Sequence, residues 1–133
     1  MYMQSIFLGY HCFSLEEAFK KGKNCNFLVK GTLKKSHDLT IDEKYFWGPK
    51  NRWTEIKKIL YLKDLEKNEL FRVTLIGSYA QEFDQFDSHL ERAVVSILNP
   101  QIIGKKNLKS CAISRNFCYK KKMNKLIFYC CGK

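Results

Sequence analysis

Glu91 is the side chain of this sequence whose placement most invites chemistry. Phe86, Leu90, Ala93, Val94 and Ile97 recur along one stripe at about 100° per residue, the spacing of an amphipathic helix. On that helix Glu91 lies about 100° from the stripe's centre, beside Asp87 and Leu98. A carboxylate on the shoulder of a buried face can sit half-desolvated at a cleft rim and hold a divalent metal. On a solvated face it is an ordinary helix glutamate. Other constellations are weaker. His11, His37 and His89 have no His or Cys partner at zinc-ligand spacing, and Cys111-x6-Cys118 with Cys130-Cys131 does not make paired CxxC knuckles. The neighbours His11 and Cys12 point apart rather than pairing as base and nucleophile, and His37-Asp38 reads as a polar turn. No GxxxxGK[ST] phosphate loop occurs, which argues against an ATPase or a dinucleotide enzyme.

A second kind of chemistry is the binding of phosphates. The 133 residues carry 24 Lys+Arg and 13 Asp+Glu, a formal net charge of +11. Lys105, Lys106, Lys109, Arg115, Lys120, Lys121, Lys122, Lys125 and Lys133 are nine cations with no carboxylate among them after residue 100. The first 100 residues hold the other 15 cations and all 13 carboxylates. A near-neutral body with a cationic last quarter suits a polyanion, and nucleic acid more than a membrane surface, because no amphipathic helix accompanies the lysines. Lys120-Lys121-Lys122 would add affinity without sequence preference, or would be a solvated tail. Lys44, Tyr45, Phe46, Trp47, Lys50, Arg52 and Trp53 interleave rings with cations, as platforms for single-stranded nucleic acid do. The competing reading puts Phe46, Trp47 and Trp53 in the core.

The elements that must position these residues are read from pattern. Ser14-Leu15-Glu16-Glu17 opens a helix in capping-box form that ends near Gly22. Residues 2–10 and Cys25–Val29 read as strands, and Gly31 to Thr40 as a polar connection. Asn51 to Leu62 favours a helix, with a strand over Ile56–Leu62 as the alternative. Leu70–Ser78 is the clearest strand, rich in β-formers. The stripe holding Glu91 follows, with Asp84 and Asp87 at its start and Asn99-Pro100 at its end, and Leu126–Tyr129 is a candidate closing strand. The expected fold class is α+β: a small mixed or antiparallel sheet flanked by two or three helices. The expected organisation is a compact domain over residues 1–104 and a basic extension over 105–133. With 45% hydrophobic residues the chain can bury a core, which excludes wholesale disorder. Met1–Phe13 lacks a basic n-region, and its apolar run is broken by Gly9 and His11. A cytoplasmic chain with mostly reduced thiols is therefore expected.

Leu90-Glu91-Arg92-Ala93-Val94-Val95-Ser96-Ile97-Leu98-Asn99-Pro100 resembles the helix of the GIY-YIG nucleases, in which a glutamate followed by apolar residues leads to a proline. Phe71–Gly77 stands where that superfamily's third strand would stand, and Ile59-Leu60-Tyr61-Leu62-Lys63 is similar to the strand holding its second tyrosine. The resemblance spans roughly residues 56–104. It implies phosphodiester hydrolysis, with Mg²⁺ held by Glu91, Tyr61 at the nucleophile, and Arg72 or Arg52 bracing the phosphate. The leading expectation is a nucleic-acid-processing protein acting as a metal-dependent endonuclease. The alternatives are a non-catalytic DNA- or RNA-binding module, or a protein-interaction domain whose basic end docks an acidic partner.

Overall fold

A computed structural model describes residues 9–45, 52–64, 67–86, 93–103, 110–114 and 123–130. The elements in chain order are β1 (His11–Cys12), α1 (Leu15–Lys21) with a 3₁₀ turn at Gly22–Asn24, β2 (Phe27–Ser36), β3 (Thr40–Tyr45), β4 (Arg52–Asp64), β5 (Leu70–Ile76), α2 (Ser78–Phe86), β6 (Ala93–Leu98), β7 (Gln101–Ile103), β8 (Ser110–Ser114) and β9 (Lys125–Cys130).

The first helix forms as its spacing predicts. Ser14 Oγ accepts from the Glu17 backbone N–H, and the Glu17 carboxylate accepts from Ser14 N–H. That second bond, the largest influence, holds the Glu17 carboxyl below its usual range. Leu15 and Ala18 are buried against the sheet. The second helix starts after Gly77, which bridges strand to helix at φ +69°, a conformation that costs glycine little. It buries Tyr79, Ala80 and Phe83.

The nine strands of the described residues join one sheet whose main path runs β7-β8-β5-β4-β2-β6-β9. The β2–β4, β4–β5 and β2–β6 pairs are antiparallel, while β5 and β8 run parallel. The path curls back on itself, because β6 and β7 are the two halves of one strand broken at Asn99-Pro100. The first half pairs with β2 and the second with β8. Asn99 turns this corner at φ +49°. Two features of β2 support the curvature. A register shift between Leu33 and Lys35 bends the strand. At Gly31 an added Cβ would lie 2.8 Å from the Lys63 carbonyl oxygen, so only glycine lets the strands approach so closely.

The interior is lined by alternate residues of each strand: Val29 and Leu33 of β2, Leu60 and Leu62 of β4, Phe71, Val73 and Leu75 of β5, Val95 and Ile97 of β6, Cys111 and Ile113 of β8. Phe83 of α2 meets Phe128 of β9 edge to face at 5.0 Å between ring centroids, so the helix closes one end of this core. Burial pushes the Cys111 thiol up from its ordinary 9.0 to about 12. A thiol reagent at pH 8 is therefore expected to modify exposed Cys12 and half-buried Cys25 but spare Cys111 until the chain unfolds, as peptide mass mapping would read. The raised value also sets a sign. This thiol's contribution to stability is fully present below pH 9.0 and is lost as pH climbs towards 12.

The expected α+β architecture with two or three flanking helices is corrected. Among the described residues the fold is a curled mixed sheet carrying two short helices, and two segments that read as helical are strands. Ala93–Leu98 is buried at every position, and a strand covered on both faces gives an unbroken apolar run that periodicity cannot separate from a helix. Its Val94, Val95 and Ile97 are β-branched and favour the sheet. Asn99-Pro100 therefore turns a strand, and α2 ends near where the helix was expected to begin. Arg52–Asp64 is the longest strand, and its pattern was disguised. The inward set Ile56, Lys58, Leu60 and Leu62 contains a lysine that is 2% exposed. Gly31 to Thr40 is mostly the second half of β2, polar because one of its faces meets solvent.

Candidate nucleic-acid interface

Alternation along β4 sends Lys57, Ile59, Tyr61 and Lys63 outward, opposite Leu60, Leu62 and the other buried positions. On β5 the outward positions are Leu70, Arg72, Thr74 and Ile76. Register then makes cross-strand pairs on this outer face: Lys57 with Ile76, Ile59 with Thr74, Tyr61 with Arg72, and Lys63 with Leu70. The bend in β2 places Lys35 opposite Tyr61 on the other side of β4. One transverse row thus reads Lys35, Tyr61, Arg72 and, on β8, Ser110. Directly opposed side chains of such a row have their Cβ atoms about 5 Å apart.

Tyr61 is half-buried, and His37 lies against it with ring centroids 5.4 Å apart at 45°. Lys35 and Arg72 are exposed, and Lys57 and Lys63 are half-buried. The lysine at the inward position 58 positions this edge from beneath. Its Nζ donates to the His37 carbonyl oxygen at 2.8 Å and to Asp84 Oδ1 at 3.0 Å. Beyond β4, Thr74 of β5 and Ser110, Ala112 and Ser114 of β8 are small outer residues. The face is therefore a shallow floor flanked by one aromatic ring and a set of cations, able to meet a phosphate backbone and a flat apolar group together.

Among the sequence candidates, the structure brings Tyr61 and Arg72 together as direct neighbours across β4 and β5. Lys44 and Arg52 stand at register positions on the β3–β4 pair, opposite Trp53 and Tyr45 respectively. Lys50 lies in the 46–51 segment joining those strands, Lys105 and Lys106 between β7 and β8, and Lys120, Lys121 and Lys122 between β8 and β9, all outside the described residues. Glu91, the expected Mg²⁺ ligand, is outside them too. Among the described residues no three His, Cys, Asp or Glu side chains gather as a metal site. β4 begins at the 46–51 connection and runs antiparallel to β5, whereas β8, parallel to β5, begins at the 104–109 connection. β4 and β8 therefore start at opposite ends of the sheet. Sequence reading missed Lys35, His37, Lys57 and Lys63. The signal was the alternation Lys57, Ile59, Tyr61, Lys63, which only a strand assignment exposes.

No helix among the described residues is long and apolar enough to cross a membrane. No protein-family model matches the chain, and no curated protein matches it. The expected kinship with the GIY-YIG nucleases is therefore corrected. No model of that superfamily supports it, and the segment that carried it is strand β6 rather than a helix. A solved structure that the chain resembles is the solution NMR structure of the OB domain of Ta0387 from Thermoplasma acidophilum, at 14% identity and a TM-score of 0.41, over 78% of this chain and 74% of that one.

Proposed function

We propose that this chain is a non-catalytic nucleic-acid-binding module that lays a single strand across the outer face of β4 and β5. The observation that carries the proposal is the row Lys35–Tyr61–Arg72, a ring with a cation on each side, held in register by three adjacent strands. An unpaired base can turn a free π-face to Tyr61, whereas in a duplex both faces are covered by neighbouring base pairs, so the row favours single strands. Lys35, Arg72, Lys57 and Lys63 then meet the backbone. Because phosphate contacts displace counterions, binding weakens with salt. Four contacts on a single strand give a slope of log K against log salt near −3, at about 0.7 per contact.

Fluorescence anisotropy with oligo-dT, oligo-U and a duplex of equal length tests the reading. Single strands are expected to bind more tightly than the duplex. Tyr61→Ala is expected to weaken binding by about 10-fold, in the range of one lost base–aromatic stack. Arg72→Ala is expected to weaken it for all sequences and reduce the salt slope by about 1. No retention of any oligonucleotide at low salt, or wild-type affinity in both variants, overturns the proposal. In that case a salt-independent complex with a protein, and no retention on DNA, would favour the protein-interaction alternative.

A further inference from the structure

One end of the outer face differs chemically from the rest. Glu55 is the one carboxylate at the outward positions of β2, β4 and β5 among the described residues, and it stands in register opposite Asp42 of β3. It pairs with Lys57 at 3.1 Å, and its side chain is 26% exposed. On a face otherwise suited to phosphates, a carboxylate opposes backbone binding, so its use there lies with something other than a phosphate. It lines a cavity of about 250 Å³ together with Ile76, Gln101, Ala112, Ser114 and Asn124. That volume falls below the roughly 300–1,000 Å³ of drug-sized ligand sites and suits a fragment such as one nucleobase. Ile76 and Ala112 offer apolar contact to a base plane, while Glu55 and Gln101 offer polar atoms to its edge. Four residues along β5 separate Ile76 from Arg72, about 14 Å at the usual rise. The cavity therefore lies at the Ile76 end of β5, away from the Tyr61 row, where buried Asn99 and Ile113 also line it.

We infer that this cavity is a base-reading pocket selective for guanine, with Glu55 as the discriminating residue. The inference rests on the nucleic-acid-binding reading above. Guanine presents two adjacent donors on its Watson–Crick edge, N1–H and the N2 amino group, and a carboxylate accepts both. Beside them its O6 accepts from an amide such as that of Gln101. Adenine and cytosine each place a ring-nitrogen acceptor next to their amino group, which a carboxylate repels. Uracil and thymine flank a single donor with two carbonyl oxygens. Single-stranded recognition reads unpaired bases on these edges.

The experiment compares a dT nonamer with the same nonamer carrying one central dG. Wild type is expected to bind the dG oligomer about 10-fold more tightly, within the range of one good bidentate base contact. Glu55→Gln is expected to erase that difference, bringing the dG oligomer down to the thymine value. Tyr61→Ala is expected to weaken both oligomers in parallel and leave the ratio intact. Equal binding of the two oligomers by wild type, or a preference that survives Glu55→Gln, overturns the pocket assignment alone. Failure of both oligomers to bind at low salt overturns the parent reading, and the pocket with it.

Discussion

Asn99→Ala is expected to destabilise the fold by about 4 kcal/mol. The Asn99 side chain is buried and joins three parts of the chain. Its Nδ2 donates to the Met123 carbonyl oxygen at 2.8 Å and to Asn26 Oδ1 at 3.3 Å, and its Oδ1 accepts from Phe27 N–H at 3.1 Å. Its backbone N–H donates to the Phe27 carbonyl oxygen at 2.9 Å. Truncation removes the partner of the buried Phe27 N–H, at about 1–3 kcal/mol, and the part-buried bond to the Met123 carbonyl, at about 1 kcal/mol. Alanine also tolerates the left-handed φ of +49° poorly, adding roughly 1–2 kcal/mol. Asn99→Gly separates the two terms, since it accepts the dihedral but restores no hydrogen bond. It is expected to recover only the strain. At a urea slope of about 2 kcal/mol per molar, the alanine variant's unfolding midpoint falls by about 2 M with the slope unchanged. A shift below 0.5 M, well under that estimate, would mean that the corner does not depend on this amide.

The second large effect is at the buried lysine. Asp84→Ala removes the carboxylate that pairs with Lys58 Nζ and leaves an ammonium group whose side chain is only 1% exposed. Removing one partner of a buried pair costs about 3–5 kcal/mol. The half-exposed carboxylate argues for the lower end, about 3 kcal/mol. Lys58→Met removes the charge with a side chain of similar shape and is expected to cost about 1 kcal/mol, the net worth of an ordinary hydrogen bond. The ordering of the two variants in urea unfolding is the diagnostic result, and equal losses would refute it. The loss also reaches the candidate interface. Lys58 Nζ fixes the His37 carbonyl, and the His37 ring lies against Tyr61, so Asp84→Ala is expected to weaken oligonucleotide binding in the fraction that remains folded.

The correct and incorrect readings have separate physical causes. The capping box at Ser14 and Glu17 was legible because both groups lie within one turn, and β5 was legible because its inward Phe71, Val73 and Leu75 alternate without interruption. β4 was not, because Lys58 stands at an inward position where the pattern requires an apolar residue. Its partners Asp84 and the His37 carbonyl are 26 and 21 residues away. β6 was not, because all of its positions are buried and no polar face marks its period.

The amino-acid sequence alone determined the excess of positive charge, its concentration after residue 100, and the presence of aromatic residues among cations. It also singled out Tyr61 and Arg72, although through a resemblance to the GIY-YIG nucleases that no family model supports. Tertiary structure alone decided that these two stand side by side, because cross-strand register depends on pairing between segments rather than on local preference. It likewise decided that Lys35 and His37 flank them. A strand's neighbours are chosen by hydrogen bonds to distant backbone, and no local window of residues contains that information.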